Sequence, residues 1–182
     1  MGVFSDIGSA KTFEQGGSYF FPGDWYVSID SSLIEPSAKN KKIKHAKVKC
    51  KTIECEVPLG SKNKAYPAGK EVNFVCEVTK DMGASNAKAF AMAAGEEALW
   101  QAGASHEAVT AFLRDFKQCE VEEGQEHPCE KHLADIFKPN GLVKGLKIRV
   151  EAFNKPTSEG KDFTRLRWLV SSRPDDFDIR AV

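Results

Sequence analysis

No stretch of this sequence approaches the roughly 20 consecutive apolar residues that a membrane-spanning helix needs. The opening, Met1 to Asp6, lacks the apolar run of a secretory leader. It also lacks a myristoylation signal, because Asp6 stands where serine or threonine is wanted. A cytoplasmic protein with no membrane partner is the resulting expectation. Catalytic signatures are missing as well: there is no Gly-x-x-x-x-Gly-Lys phosphate loop, Gly-x-Ser-x-Gly elbow or His-Glu-x-x-His helix. A zinc deaminase would need His-x-Glu followed by Pro-Cys-x-x-Cys, and Pro128-Cys129-Glu130-Lys131-His132 supplies half of it. No catalytic residue, and no enzyme, is expected.

Cysteine is scarce and odd in number. Cys50, Cys55, Cys76, Cys119 and Cys129 are irregularly spaced, which suits reduced thiols better than a disulfide framework. Excess charge of either sign is also absent, with 26 Lys and Arg against 26 Asp and Glu. The balance hides a segregation. From Lys39 to Lys70 ten lysines face two glutamates, a surplus of +8, and from Gly141 to Arg173 eight cations face three acids, a surplus of +5. The acidic remainder falls mainly in the middle of the chain and at its end. A molecule with one basic face fits this distribution better than a uniformly neutral one.

What is present reads as one domain of 182 residues, enough to bury an ordinary core. Residues 1–18 are Gly- and Ser-rich and read as an irregular arm. After the Pro22-Gly23 turn, Trp25, Val27 and Ile29 alternate with Tyr26 and Ser28, a half-buried strand. The second strand grows out of the densest charge in the chain, seven lysines in the thirteen residues Lys39 to Lys51. Its apolar face changes phase near Lys51 to Ile53, which a regular strand cannot do, so a β-bulge is expected there. Val72, Phe74, Cys76 and Val78 mark a third strand. Helical patterns follow: Asn86 to Ala98 with Ser85 as N-cap, a second helix capped by Ser105 with Val109, Phe112, Leu113 and Phe116 on one face, and a short one over Glu130 to Phe137. Leu146 to Phe153 and Phe163 to Val170 are the last two strands, and residues 171–182 form an acidic tail. Three strands, a helical insertion over about 84–138, then two strands predict a mainly β, α+β fold. The specific expectation is an OB-like five-stranded barrel over 19–170, with two or three helices inserted between strands 3 and 4. The alternative is another small α+β sheet with helices on one face.

The non-core faces of these strands carry the functional signal. Lys47 and Lys49 on the second strand, with Lys41, Lys42 and Lys44 leading into it, would track phosphates. Arg149, Arg165 and Arg167 on the last two strands would continue the track. Tyr26, Phe153 and Phe163 are interleaved with them as rings on which unpaired bases can stack. Cations alternating with flat rings suit single-stranded nucleic acid, where each stacked base is worth about 1–3 kcal/mol. The competing readings are that the lysine run is a solvated edge that blocks aggregation, and that helices cover the aromatics.

The opening Tyr19 to Ile29 (YFFPGDWYVSI), the Lys-rich second strand, the Gly69 to Val75 strand and the Gly145 to Glu151 strand together carry a resemblance. Their layout over residues 13–170 resembles that of bacteriophage-encoded OB-fold single-stranded DNA-binding proteins. The resemblance implies binding of single strands during phage DNA replication or recombination, in the host cytoplasm. It further implies that Asp175, Asp176, Phe177 and Asp178 form a tip that recruits replication or recombination proteins. The chain departs from the family pattern in that Arg180-Ala181-Val182 follow that tip.

A second constellation is Cys119, His127, Cys129 and His132. Zinc binds such nitrogen and sulfur donors tetrahedrally, and the two-residue gap between Cys129 and His132 suits it, although His127 to Cys129 is tight and Cys119 isolated. A structural zinc site and a solvated acidic loop are both open readings, and no other cofactor is expected. The rival function is a protein–protein or structural phage module on the same barrel, with no nucleic-acid binding.

Overall fold

A computed structural model describes residues 19–118, 127–156, 162–179 and 182. Five strands, β1 (Gly23–Pro36), β2 (Lys44–Glu56), β3 (Glu71–Glu77), β4 (Lys147–Pro156) and β5 (Asp162–Leu169), pair antiparallel in the order β3-β2-β1-β4-β5. Three helices, α1 (Asp81–Gln101), α2 (His106–Lys117) and α3 (Glu130–Ile136), lie between β3 and β4 in the chain. The fold is mixed α+β. Closure into a barrel is not seen: β3 and β5 are the two edges, and no ladder joins them among the described residues.

Alternation places Trp25, Val27 and Ile29 of β1 and Ile148, Val150 and Ala152 of β4 in the core. In β2 the buried series Ala46, Val48, Cys50 and Thr52 would be broken by one-residue periodicity at Ile53. The pairing shows how the chain resolves this. Tyr26 faces Glu54 while Val27 faces Thr52, so Ile53 is the extra residue of a bulge, at the position where the sequence changes phase. A second irregularity leaves Asp30 extra on β1, because Ile29 pairs with Cys50 and Ser31 with Lys49.

The helices cover the inner face. Phe90 of α1 meets Trp168 of β5 at 4.8 Å and Phe137 at 5.6 Å between ring centroids. Helix α1 is buried nearly all round, from Ala87 and Phe90 to Glu96 and Glu97, because its small residues let the sheet, α2 and α3 approach together. At Gly95 an added Cβ would overlap the Phe112 ring and press on Ile136 at 3.1 Å. Gly95→Leu is therefore expected to destabilise the fold by about 2 kcal/mol, an overpacking cost that exceeds the helix-propensity gain of about 1 kcal/mol. A urea midpoint falling with unchanged m value would verify it. The buried Ser32 hydroxyl of β1 donates to the Ile136 carbonyl, satisfying an end group of α3.

Helix α2 begins as the sequence foretells, with the Ser105 hydroxyl accepting from the Ala108 amide at 3.3 Å. Helix α1 does not. It starts at Asp81 behind Lys80 rather than after Ser85. Gly83 packs so tightly on the Glu77 carbonyl that any side chain there would clash, so tertiary contact with β3 wins over the stronger capping residue. The cysteines among the described residues are free. Burial pushes the Cys76 thiol up to about 11, which keeps it protonated and inert.

Candidate nucleic-acid interface

Residues that alternate away from the core form the outer face of the sheet. On its β1/β4/β5 half, strand register brings together six of the residues singled out by alternation. Tyr26 sits opposite Arg149, and Phe153 opposite Arg165. Each ring carries a guanidinium: Arg149 lies 5.1 Å from the Tyr26 centroid, Arg165 5.2 Å from Phe163, and Arg167 5.7 Å from Phe153. Arg165 reaches a same-face neighbour two residues back on its own strand, whereas Arg167 reaches diagonally across the ladder. Arg149 and Arg167 are exposed, and the three rings are half-buried, so the helices do not cover them. Lys147 and Lys155 stand on the same face, Lys155 opposite Phe163. Lys155 escapes a sequence reading that ends the strand at Phe153. The period-two series Lys147, Arg149, Glu151, Phe153 continued one step further would have found it.

Acids divide this face. Glu56, Asp24 and Glu151 lie in one cross-strand row between the Tyr26–Arg149 row and the Phe153–Arg165 row. Arg167 answers Glu151 at 3.0 Å, an exposed bridge worth at most about 1 kcal/mol. Glu54, opposite Tyr26, adds a further negative group.

The lysines are distributed differently from the arginines. Lys47 pairs with Glu35 at 2.8 Å, and Lys51 with Asp30 at 3.7 Å. Lys49 is exposed, opposite Ser31 and Asn73. Lys41, Lys42 and Lys44 are exposed at the β1–β2 turn, which is held by Ser37 N–H to Ile43 O (2.7 Å) and Lys42 N–H to Asn40 Oδ1 (3.0 Å). Ser28 is the last β1 residue paired with β4, and Pro36 is eight residues on, about 26 Å along the strand at about 3.3 Å per residue. The lysine turn and the arginine–aromatic face are thus separate patches on one sheet face.

Of the expected acidic tail, residues 171–179 form a strap docked against α1 and His106 of α2. Phe177 is buried, 5.0 Å from Trp100 and 5.5 Å from His106 between centroids. Arg173 binds Glu96 through two contacts, Nε–Oε1 at 2.6 Å and Nη2–Oε2 at 2.8 Å. The Ser171 and Ser172 amides both donate to Glu97 Oε2, at 2.8 and 3.0 Å. Burial pushes the Glu97 carboxyl up, but its hydrogen bonds from Ser172, Gln101 and Ser171 together outweigh that and hold it below its ordinary value. Asp175, Asp176 and Asp178 are exposed, Asp176 being 3.8 Å from His106. Phe177 is therefore unavailable as a projecting tip while the strap is docked.

Among the described residues no group of three or more His, Cys, Asp or Glu gathers where it could hold a metal ion. Cys119 lies outside the described residues. His132 Nε2 is engaged by Asp115 at 2.8 Å, and its ring stacks on Phe116. His127 Nδ1 accepts from the Cys129 amide at 3.3 Å, and burial pushes the Cys129 thiol above its ordinary value. Among the described residues no helix is long and apolar enough to cross a membrane. No protein-family model matches the sequence, and no curated protein matches it.

Proposed function

We propose that this protein binds single-stranded DNA without sequence preference, as a binder and not a catalyst. The observation that carries the reading is the set of three arginine–ring pairs, Tyr26–Arg149, Phe153–Arg167 and Phe163–Arg165, on one outer sheet face. Rings accept bases by stacking, while guanidinium groups beside them meet the phosphates that connect those bases. Lys147 and Lys155 extend the cationic track, and the lysine turn supplies a second phosphate contact further along the strand. The strand order, with helices between β3 and β4, supports an OB-like barrel left open between β3 and β5; partial opening is compatible with that fold. A role in phage replication or recombination follows from the resemblance in layout alone.

A second reading is a protein-docking module. The acidic row Glu56, Asp24 and Glu151 favours it, since those carboxylates oppose a polyanion. Fluorescence anisotropy with oligo(dT) separates the two. Five engaged cations (Lys147, Arg149, Lys155, Arg165 and Arg167) give a log–log salt slope near −3.5, hence roughly a hundredfold loss of affinity between 50 and 200 mM salt. A flat response would favour the docking module.

A further inference from the structure

The unclosed seam between the sheet edges holds a cleft of about 330 Å³, at the small end of the range in which proteins hold organic ligands (about 300–1,000 Å³). Its size suits one base and not a run of them. Phe74 of β3 and Trp168 of β5 approach across the seam at 5.8 Å and form an aromatic wall. Tyr19 and Phe163 add two half-buried or exposed rings at the rim. The polar feature is Arg165. Its Nε is buried and has no hydrogen-bond partner among the described residues, while its guanidinium lies against the Phe163 ring. A buried donor left unpaired costs about 1–3 kcal/mol, and an acceptor arriving in the cleft would recover that cost.

The occupant needs a flat face for the rings and an acceptor on its edge for Nε. An added peptide strand fits less well, because Tyr19 already bridges to Asn73 and takes up part of the free edge of β3. Every nucleobase meets both requirements, as each offers a carbonyl oxygen or ring nitrogen on its edge. We infer that the β3–β5 cleft receives a single unstacked base of the bound strand, with Arg165 Nε donating to its edge. The inference rests on the single-strand reading above. Because the acceptor is common to all four bases, the cleft anchors a strand without selecting a sequence. It also gives Arg165 Nε a base-edge contact in addition to the phosphate role that its guanidinium shares with Arg149 and Arg167.

The test fills the cleft without touching the cationic track. Ala89 is exposed on α1 and lines the cleft, so Ala89→Phe occupies the space that a base would take. Binding is measured to oligo(dT) and to an abasic oligomer of the same length. The expected result is a loss of about tenfold or more toward oligo(dT), the loss of one stacked base, with an unchanged salt slope and unchanged affinity for the abasic oligomer. Thr164→Trp, from the opposite wall, provides a second filling variant should Ala89→Phe lower the melting temperature. Wild-type affinity in folded filled variants overturns the cleft assignment and leaves the outer-face reading standing. Failure of the wild-type protein to bind either oligomer overturns both.

Discussion

Replacing Arg149 and Arg167 together by alanine is expected to weaken oligo(dT) binding by roughly a hundredfold or more, with the protein still folded. Hydrogen bonds to charged groups are worth about 1.5–3 kcal/mol each, so losing two costs at least about 3 kcal/mol. The salt slope should flatten by about 1.4, two phosphates at about 0.7 each. Stability should change little, because both side chains are exposed and the Arg167–Glu151 bridge is solvent-screened. Anisotropy titrations at two salt concentrations, paired with a thermal melt, read both quantities. A variant that binds as tightly as the wild type, with the original slope, would remove the outer face from the binding site.

The largest stability effect should come from Arg173→Ala. The Glu96 side chain is 3% exposed and receives two contacts from that guanidinium. Truncation leaves a buried carboxylate whose remaining hydrogen bond among the described residues is from the Trp100 indole N–H at 3.2 Å. Breaking one side of such a pair costs about 3–5 kcal/mol, because the remaining charge has lost its counter-ion without regaining water. At about 2–4 °C per kcal/mol for a domain of this size, the melting temperature should fall by about 10 °C. The double variant Glu96→Leu with Arg173→Leu should recover most of the loss, since no charge is then stranded. A double variant as unstable as Arg173→Ala would show instead that the strap acts through packing of Phe177.

These two predictions draw on features that were unequally legible in the sequence. Tyr26, Arg149, Phe153, Phe163, Arg165 and Arg167 could be assigned to one face because strand alternation is strictly local. The bulge at Ile53 was legible for the same reason, as a break in an otherwise regular period. The acidic row was not. Glu56, Asp24 and Glu151 become neighbours only through cross-strand register, which two bulges and long connections set. The strap was hidden further still. Glu96 and Glu97 read as surface charges on an alanine-rich helix, and the strap residues that bind them, Arg173, Ser171 and Ser172, lie more than seventy residues away. The start of α1 was misplaced because Ser85 is the better cap in isolation, whereas the Gly83 contact with Glu77 exists only in the folded protein.

The central position of β1 has a kinetic consequence. One flank of this strand pairs with β2, the next strand in sequence, and the other with β4, where Trp25 meets Val150. The β3-β2-β1 meander can assemble from nearby sequence, but the second edge of β1 must wait for a partner more than a hundred residues later. Closing so long a loop is slow. Until β4 arrives, an apolar strand with Trp25, Val27 and Ile29 offers unpaired backbone groups to any other chain.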